Sequence, residues 1–228
     1  MTMKLTALLM SAGLGERFGG EHPKQFARLG DRPALIWSAQ LFAAHADVGR
    51  IAVVVPAGRE ERTTEMLHEW KIDKTLVVAG GETRQQSVIR GLEAVGQMEG
   101  NVVIHDAVRP CMTPALLARV VDALETHEAV VPVVPAVDTL YHLSGDTMDA
   151  LIDRESVAQV QTPQGFRMAL LLEAHRWALA KGLASSDDGS LVFAFGHSVH
   201  TVAGERNNIK ITFREDVAVA EALLAGRE

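Results

Sequence analysis

The chain has 228 residues, 47% of them hydrophobic and 22% charged, with a formal net charge of −7. That is the composition of a folded globular chain with a sizeable core, and its acidic balance offers no bulk attraction to nucleic acid or to an anionic membrane. The single cysteine, Cys111, rules out an internal disulfide and a cysteine-rich metal site, which points to a reducing, cytoplasmic setting and to a small buried residue beside Pro110.

Apolar runs bounded by turn residues alternate along the chain with patterns of helical period. Residues 4–10 read as the first strand. Lys4, this run and Ser11-Ala12-Gly13 faintly imitate a secretion signal, but the run is too short and ends in a glycine turn. That turn, Ser11-Ala12-Gly13-Leu14-Gly15-Glu16-Arg17-Phe18, and the Pro23-Lys24-Gln25 that follows form the most informative stretch of the sequence. Glycines let backbone N–H groups close around an anion, and Arg17 and Lys24 place cations beside the charge those amides favour. A dinucleotide fingerprint would need a third glycine where Phe18 stands, and a Walker loop would need Gly-Lys-Ser/Thr where Gly20 is followed by Glu21 and His22. A nucleoside triphosphate fits this stretch better than a purely structural strand-to-helix turn does.

A helix over 34–44, a strand over 50–55, a helix over 59–70 and a strand over 75–79 follow. The last runs into Gly80-Gly81-Glu82-Thr83-Arg84, whose free N–H groups and small side chains suit a flat base or a ribose. Thr83 can cap a helix over 84–95, with Ser87 one turn in. A strand over 101–105 ends in His105-Asp106-Ala107-Val108-Arg109-Pro110. A strand-terminal Asp is a natural ligand for Mg²⁺ held between protein and phosphates, and Arg109 either holds that Asp or reaches a phosphate itself. His105 is expected to support the turn rather than bind metal. Thr113 caps and Pro114 opens a helix over 114–125, whose Leu116, Leu117, Val120, Val121 and Leu124 form one stripe. A strand over 129–134 comes next.

The regularity then breaks. Runs over 139–143 and 148–152, joined by Ser144-Gly145-Asp146, read as a hairpin; such an arm cannot bury itself alone and is expected to pack on a second subunit. Helices over 167–181 and 215–224 and a strand over 198–202 follow, among polar islands at Asp153-Arg154, Gln161-Thr162-Pro163-Gln164, Ser186-Asp187-Asp188 and Asn208-Ile209-Lys210-Ile211-Thr212. Asp187 and Asp188 read as a helix start. In a strand, Lys210 would point away from Ile209 and Ile211 toward a cleft, although taken alone it is an ordinary solvated lysine on an edge strand. His197 and His200, three residues apart, face opposite sides of a strand and make no zinc site. The alternation implies a single domain over 1–228: an open, mostly parallel, Rossmann-like α/β sheet with helices on both faces and a projecting β-arm over 136–161. Ligands bind such sheets beyond the carboxyl ends of the strands, where 11–24 and 105–110 both fall. With no nucleophile elbow and no glycosidase-type carboxylate pair, phosphoryl chemistry is what these parts allow.

Taken together and in register over essentially the whole chain, these motifs resemble the 2-C-methyl-D-erythritol 4-phosphate cytidylyltransferases of the non-mevalonate isoprenoid pathway. The landmarks are Ala12 to Arg17, Pro23-Lys24-Gln25, Gly80-Gly81-Glu82 with Arg84 and Ser87, Asp106 to Pro110, Asp138-Thr139, Asp153-Arg154, Thr162-Pro163-Gln164, Asp187-Asp188 and Asn208 to Thr212. The resemblance implies a nucleotidyltransferase that joins CTP to methylerythritol phosphate and releases pyrophosphate, with Mg²⁺ or another divalent cation and no covalent intermediate. It implies that Arg17 and Lys24 stabilise the transition state and that Lys210 helps at the α-phosphate. Ala12, Gly13, Gly15, Gly80, Glu82, Ser87 and Asp106 would bind the nucleotide, Asp106 also the metal. Asp106, Arg109, Thr139, Arg154, Thr162 and Ser186 would meet the acceptor. The arm would interlock two subunits as a homodimer, with Thr139 and Arg154 serving the partner's site. The chain departs from the family pattern at Val108, where alanine is more common, at Ser186, where threonine is usual, and at Arg214, where proline is common. Ribitol 5-phosphate is the alternative acceptor, used by a related family. A non-catalytic nucleotide-binding module would be expected to lose Lys24 or Arg17, and both are present.

Overall fold

Side chains of the first strand, β1 (Leu5–Met10), are all buried, and they alternate: Ala7 and Leu9 enter one apolar cluster, Leu8 and Met10 another. A strand apolar on both faces has to lie inside a sheet covered on both sides, and β1 does. The computed structural model describes residues 5–13, 15, 18–19, 23–73, 75–96 and 99–226. From β1 the chain passes through a short ribbon, β2 (Arg28–Leu29) and β3 (Arg32–Pro33), into α1 (Ala34–Ala44), β4 (Val48–Val55), α2 (Glu60–Glu69), β5 (Thr75–Ala79), α3 (Arg84–Val95) and β6 (Asn101–Asp106). Then come α4 (Pro114–Ala123), β7 (Ala129–Pro135), the hairpin β8 (Leu140–Ser144) and β9 (Thr147–Ile152), β10 (Ala158–Val160) and β11 (Gln164–Arg167). The chain finishes with α5 (Met168–Ala180), α6 (Asp188–Ala194), β12 (His200–Ala203) and α7 (Glu215–Ala225).

Among the described residues the main sheet has eight strands in the order β10-β7-β11-β6-β1-β4-β5, with β12 beside β7. β6, β1, β4 and β5 run parallel; β11 is antiparallel to both β6 and β7. Residues of α1, α2 and α4 fill the cluster on one face, and residues of α3, α5 and α6 the cluster on the other. The chain moves outward from β1 to β4 and β5, then returns to β6 on the opposite side of β1. That reversal opens a crevice at the carboxyl ends, where Met10 and Asp106 are register partners. A third cluster joins α7 to Leu29, Val108, Cys111 and Ile211 beside this crevice.

The predicted elements recur with short shifts. Thr83 caps α3 through a capping box with Gln86, and Thr113 accepts from the Leu116 amide with Pro114 in the first turn of α4. β4 starts at Val48, before the predicted 50, and the strand expected over 198–202 forms at His200–Ala203. The helix expected from 167 starts at Met168, because Arg167 still pairs with Asn101 in β11. Of the arm expected over 136–161, Leu140–Ile152 forms a separate two-stranded hairpin with Leu143, Met148 and Leu151 exposed, while Ala158–Val160 returns to the main sheet on β7. Residue 4 of the first predicted strand lies outside the described residues. Among the described residues no helix is long and apolar enough to cross a membrane.

β11 itself is absent from the predicted elements. Its four residues, Gln-Gly-Phe-Arg, carry no readable period, and only its neighbours explain its position. A Cβ on Gly165 would lie 2.7 Å from Leu124 Cδ1 and 2.8 Å from Val120 Cγ1, so the strand is glycine there because α4 crosses it closely. Gly165→Ala is therefore expected to destabilise the fold by about 1–3 kcal/mol, through overpacking. Urea unfolding checks this; an unchanged midpoint would mean that α4 and β11 do not meet this tightly.

Candidate active site

The crevice continues into a cleft of about 780 Å³. Its walls come from the glycine loop after β1, from the Gly80 turn after β5, from the end of β6 and from the segment carrying Lys210. The glycine loop is fixed from within by Gln25, which is buried and donates through Nε2 to the carbonyls of Ser11 (2.6 Å) and Gly13 (3.2 Å). Gly15 sits at φ +71°, a left-handed conformation natural to glycine, and a Cβ there would lie 3.4 Å from Lys24 Cγ. The short helical turn Lys24–Phe26 thus packs back against the loop it follows.

Asp106, at the end of β6, is the negative centre of the cleft. Lys210 Nζ lies 2.7 Å from its Oδ2 and Arg109 Nε 3.8 Å away. Burial alone would raise this carboxyl, but Lys210, Arg84 and Arg109 together pull it down to about 2, so it is ionised throughout the neutral range. The backbone beneath it is held by His105. Burial lowers the His105 imidazole to about 4 and keeps it neutral. Its Nε2–H donates to the Arg109 carbonyl (3.2 Å), which leaves Nδ1 to accept from the Thr162 hydroxyl (3.1 Å), and that hydroxyl accepts from the Asp106 amide (3.1 Å). His105 therefore supports the turn, as its position in the sequence suggested.

The Gly80 turn approaches the glycine loop so closely that a Cβ on Gly80 would lie 2.6 Å from Ala12 Cβ and 2.9 Å from Ser87 Oγ. Behind it stands a buried ion cluster. Arg84 Nη1 and Nη2 donate to the two oxygens of Asp188 at 2.9 and 2.5 Å, and His175 Nε2 lies 2.9 Å from Oδ1. Burial would raise the Asp188 carboxyl, but Arg84 and His175 hold it well below the usual carboxylate range. Burial would likewise lower Arg84, and Asp188, with help from Asp106 and Asp187, raises it instead. The bidentate fork fixes the first residue of α3 against the start of α6.

Of the residues singled out in the sequence, the cleft gathers Ala12, Gly13, Gly15, Lys24, Gly80, Glu82, Ser87, Asp106 and Lys210. Lys210 is not in a strand: residues 207–212 are irregular, Ile211 is buried, its N–H donates to the Val108 carbonyl (2.9 Å), and Lys210, although exposed, turns to Asp106 instead of standing on an edge strand. Arg109 donates through Nη1 to the Asn208 carbonyl (2.8 Å). Thr162 is buried with its hydroxyl engaged as described. Thr139 and Arg154 lie exposed at the root of the arm, where Arg154 Nη1 donates to the Val137 carbonyl (3.3 Å), and Ser186 is exposed just before α6. Leu14, Glu16 and Arg17 lie outside the described residues. His200 stacks on His127 at 3.8 Å between ring centroids. Two roles were missed: the anchoring by Gln25, and the Arg84–Asp188–His175 cluster. All but His175 stand in quoted motifs, yet nothing in sequence joins positions so far apart.

The family model described as 2-C-methyl-D-erythritol 4-phosphate cytidylyltransferase matches residues 5–226. A curated protein of that name from Salinibacter ruber is 40% identical over 220 residues, covering 96% of this chain and 92% of its own. The crystal structure of the Thermus thermophilus protein of the same name superposes with a TM-score of 0.80 at 38% identity, covering 96% of this chain and 98% of that one. A structure titled 4-diphosphocytidyl-2C-methyl-D-erythritol synthase, from Anaerococcus prevotii, gives a TM-score of 0.85 at 28% identity, covering 97% and 98%.

The neutral, buried His105 has a consequence for stability. Unfolded, a histidine takes up its proton below pH ~6.5, whereas the folded site refuses it until pH ~4, so the folded state loses ground as pH falls through that window and nothing is lost above it. Between pH ~7 and ~5 the wild type is expected to lose about 2 kcal/mol more unfolding free energy than His105→Gln. Urea titrations at the two pH values test this; parallel losses in both proteins would contradict it.

Proposed function

Because the chain belongs to the 2-C-methyl-D-erythritol 4-phosphate cytidylyltransferase family, we propose that it transfers a cytidylyl group from CTP to methylerythritol 4-phosphate, giving 4-diphosphocytidyl-2-C-methyl-D-erythritol and pyrophosphate in isoprenoid precursor synthesis. The observation that carries this reading is the meeting of Lys24, Lys210 and Asp106 with the Gly80 turn in one cleft at the point where the sheet reverses direction.

An oxygen of the acceptor's phosphate attacks the α-phosphorus of CTP. The new P–O bond forms as the bond from that phosphorus to the bridging oxygen breaks, and pyrophosphate leaves with the oxygen and its electron pair. The protein lends no covalent step; it aligns the two substrates and stabilises the charge that builds on the α-phosphate. Lys24, with Arg17, serves that charge, and Lys210, steadied by Asp106, serves it from the same cleft. The pyrimidine would lie by the close contact of Gly80 with Ala12, with Ser87 and Glu82 also lining the cleft.

Asp106 fits a divalent cation in one way. Its carboxylate is ionised, but among the described residues no three His, Cys, Asp or Glu side chains gather as a cage. Mg²⁺ is commonly held by one or two carboxylates and the phosphates of its nucleotide, and Asp106 would supply the protein's share. The ion neutralises phosphate charge when bound. The exposed apolar side chains of the arm support a homodimer in which Thr139 and Arg154 reach the partner's acceptor site. The setting is the cytoplasm, where CTP is available.

Pyrophosphate release with CTP and Mg²⁺ is expected with methylerythritol 4-phosphate and not with ribitol 5-phosphate. Lys24→Ala should lose about 2.7–4 kcal/mol of transition-state stabilisation, a hundredfold to thousandfold fall in kcat. Turnover with ribitol 5-phosphate alone would move the acceptor; silence with both would leave only nucleotide binding. An equimolar mixture of Lys24→Ala and Arg154→Ala chains, each strongly impaired alone, should recover about a quarter of wild-type activity if the arm serves the partner, since half the dimers then carry one intact site. No recovery after subunit exchange would place Arg154 in its own chain's site.

A further inference from the structure

The chemistry above leaves Arg214 without a role, although it bridges two parts of the site. The segment carrying Lys210 is fixed from below, since Ile211 is buried and Ile209 packs against the same third apolar cluster. Phe18, from the glycine loop, packs against that cluster as well, beside Trp37 of α1 and Val217 of α7. Just outside it, the Arg214 guanidinium reaches the loop: Nε donates to the carbonyls of Phe18 (3.3 Å) and Gly19 (3.2 Å), and Nη2 donates to Gly19 (3.1 Å). The turn before Arg214 is itself closed, because Asp216 Oδ2 accepts from the amides of Thr212 (2.7 Å) and Phe213 (2.8 Å). Gly19 is exposed and left-handed at φ +64°, and a Cβ there would meet no atom of the described residues within 4 Å. Holding such a glycine in one conformation costs more backbone entropy than any other residue, and a side chain that grips its carbonyl offsets that cost.

We propose that Arg214 is a positioning residue: it ties Phe18 and Gly19 to the segment that carries Lys210, so that the two walls of the cleft keep their spacing for the triphosphate. This rests on the nucleotide site proposed above. Without the tie Phe18 and Gly19 leave this position part of the time, and apparent CTP affinity falls in proportion to the fraction in place. Saturating CTP restores the arrangement, so turnover is retained. The planar fork of arginine matters because it reaches two successive carbonyls, which an ammonium cannot do in the same way.

The test uses Arg214→Ala and Arg214→Lys in the full chain, with steady-state kinetics and hydrogen exchange at the amides of Phe18 and Gly19. The alanine variant should raise KM for CTP about tenfold, with kcat within about twofold. These amides should exchange faster in the free variant and slow again at saturating CTP, with the strands unchanged. The lysine variant, with the charge kept, should fall between wild type and alanine. Four results would overturn the proposal: unchanged loop exchange, a fall in kcat with KM unchanged, full recovery with lysine, or faster exchange throughout the sheet. If the wild type fails to turn over CTP, the functional reading fails first, and exchange in the free protein still decides whether Arg214 holds the loop.

Discussion

A single buried carboxylate, Asp106, sets the terms for the rest of the cleft. An ionised group in the end of a central strand is costly unless it is paired and hydrogen-bonded, and the penalty for leaving it alone runs to several kcal/mol. Lys210 on Oδ2, with Arg109 and the field of Arg84, meets that requirement and holds the carboxyl at about 2. The same need explains the path of the chain after β12. Residues 207–212 form no strand or helix, yet Asn208 is buried with Nδ2 bonded to the Thr162 carbonyl (2.8 Å), and Ile211 is bonded to Val108. That irregular segment lies over the sheet end because it brings the cation that Asp106 requires.

The second constraint is closeness of approach. Nucleotide sites at the edge of a parallel sheet need loops that come together without side chains between them. Here Gly80 stands so near Ala12 and Ser87 that any larger residue would push the two walls apart. Arg84, one helical step beyond the turn, is then held by Asp188, which fastens the Gly80 wall of the cleft to α6 and to the loop bearing Ser186. A buried ion cluster thereby joins the start of α3 to the start of α6.

Much of this was legible in the sequence, and the reasons differ by element. α1 matches its expected span because a long apolar stretch is bounded by Pro33 and by a polar turn, and the first turns of α3 and α4 follow from Thr83 and Thr113 as caps. That Ala12, Gly13, Lys24, Gly80 and Asp106 would meet in one cleft was legible because glycines and charged residues at the carboxyl ends of parallel strands converge there. β11 was not, since four residues with a central glycine carry no period and owe their place to α4. Lys210 was read ambiguously because its partner lies over a hundred residues away; only folding places it beside Asp106. The arm was recognised from its turn and alternation, whereas the return of 158–160 to the main sheet depends on pairing with β7, which no local signal encodes.

The most direct test of this account is a carboxyl-carbon NMR titration of Asp106 in the wild type and in Lys210→Met. The account predicts that the wild-type resonance stays at its ionised position down to pH ~4, with a midpoint near 2, and that the midpoint moves upward when Lys210 is removed. A wild-type midpoint at the ordinary aspartate value of about 3.9 or above, unmoved by Lys210→Met, would contradict it.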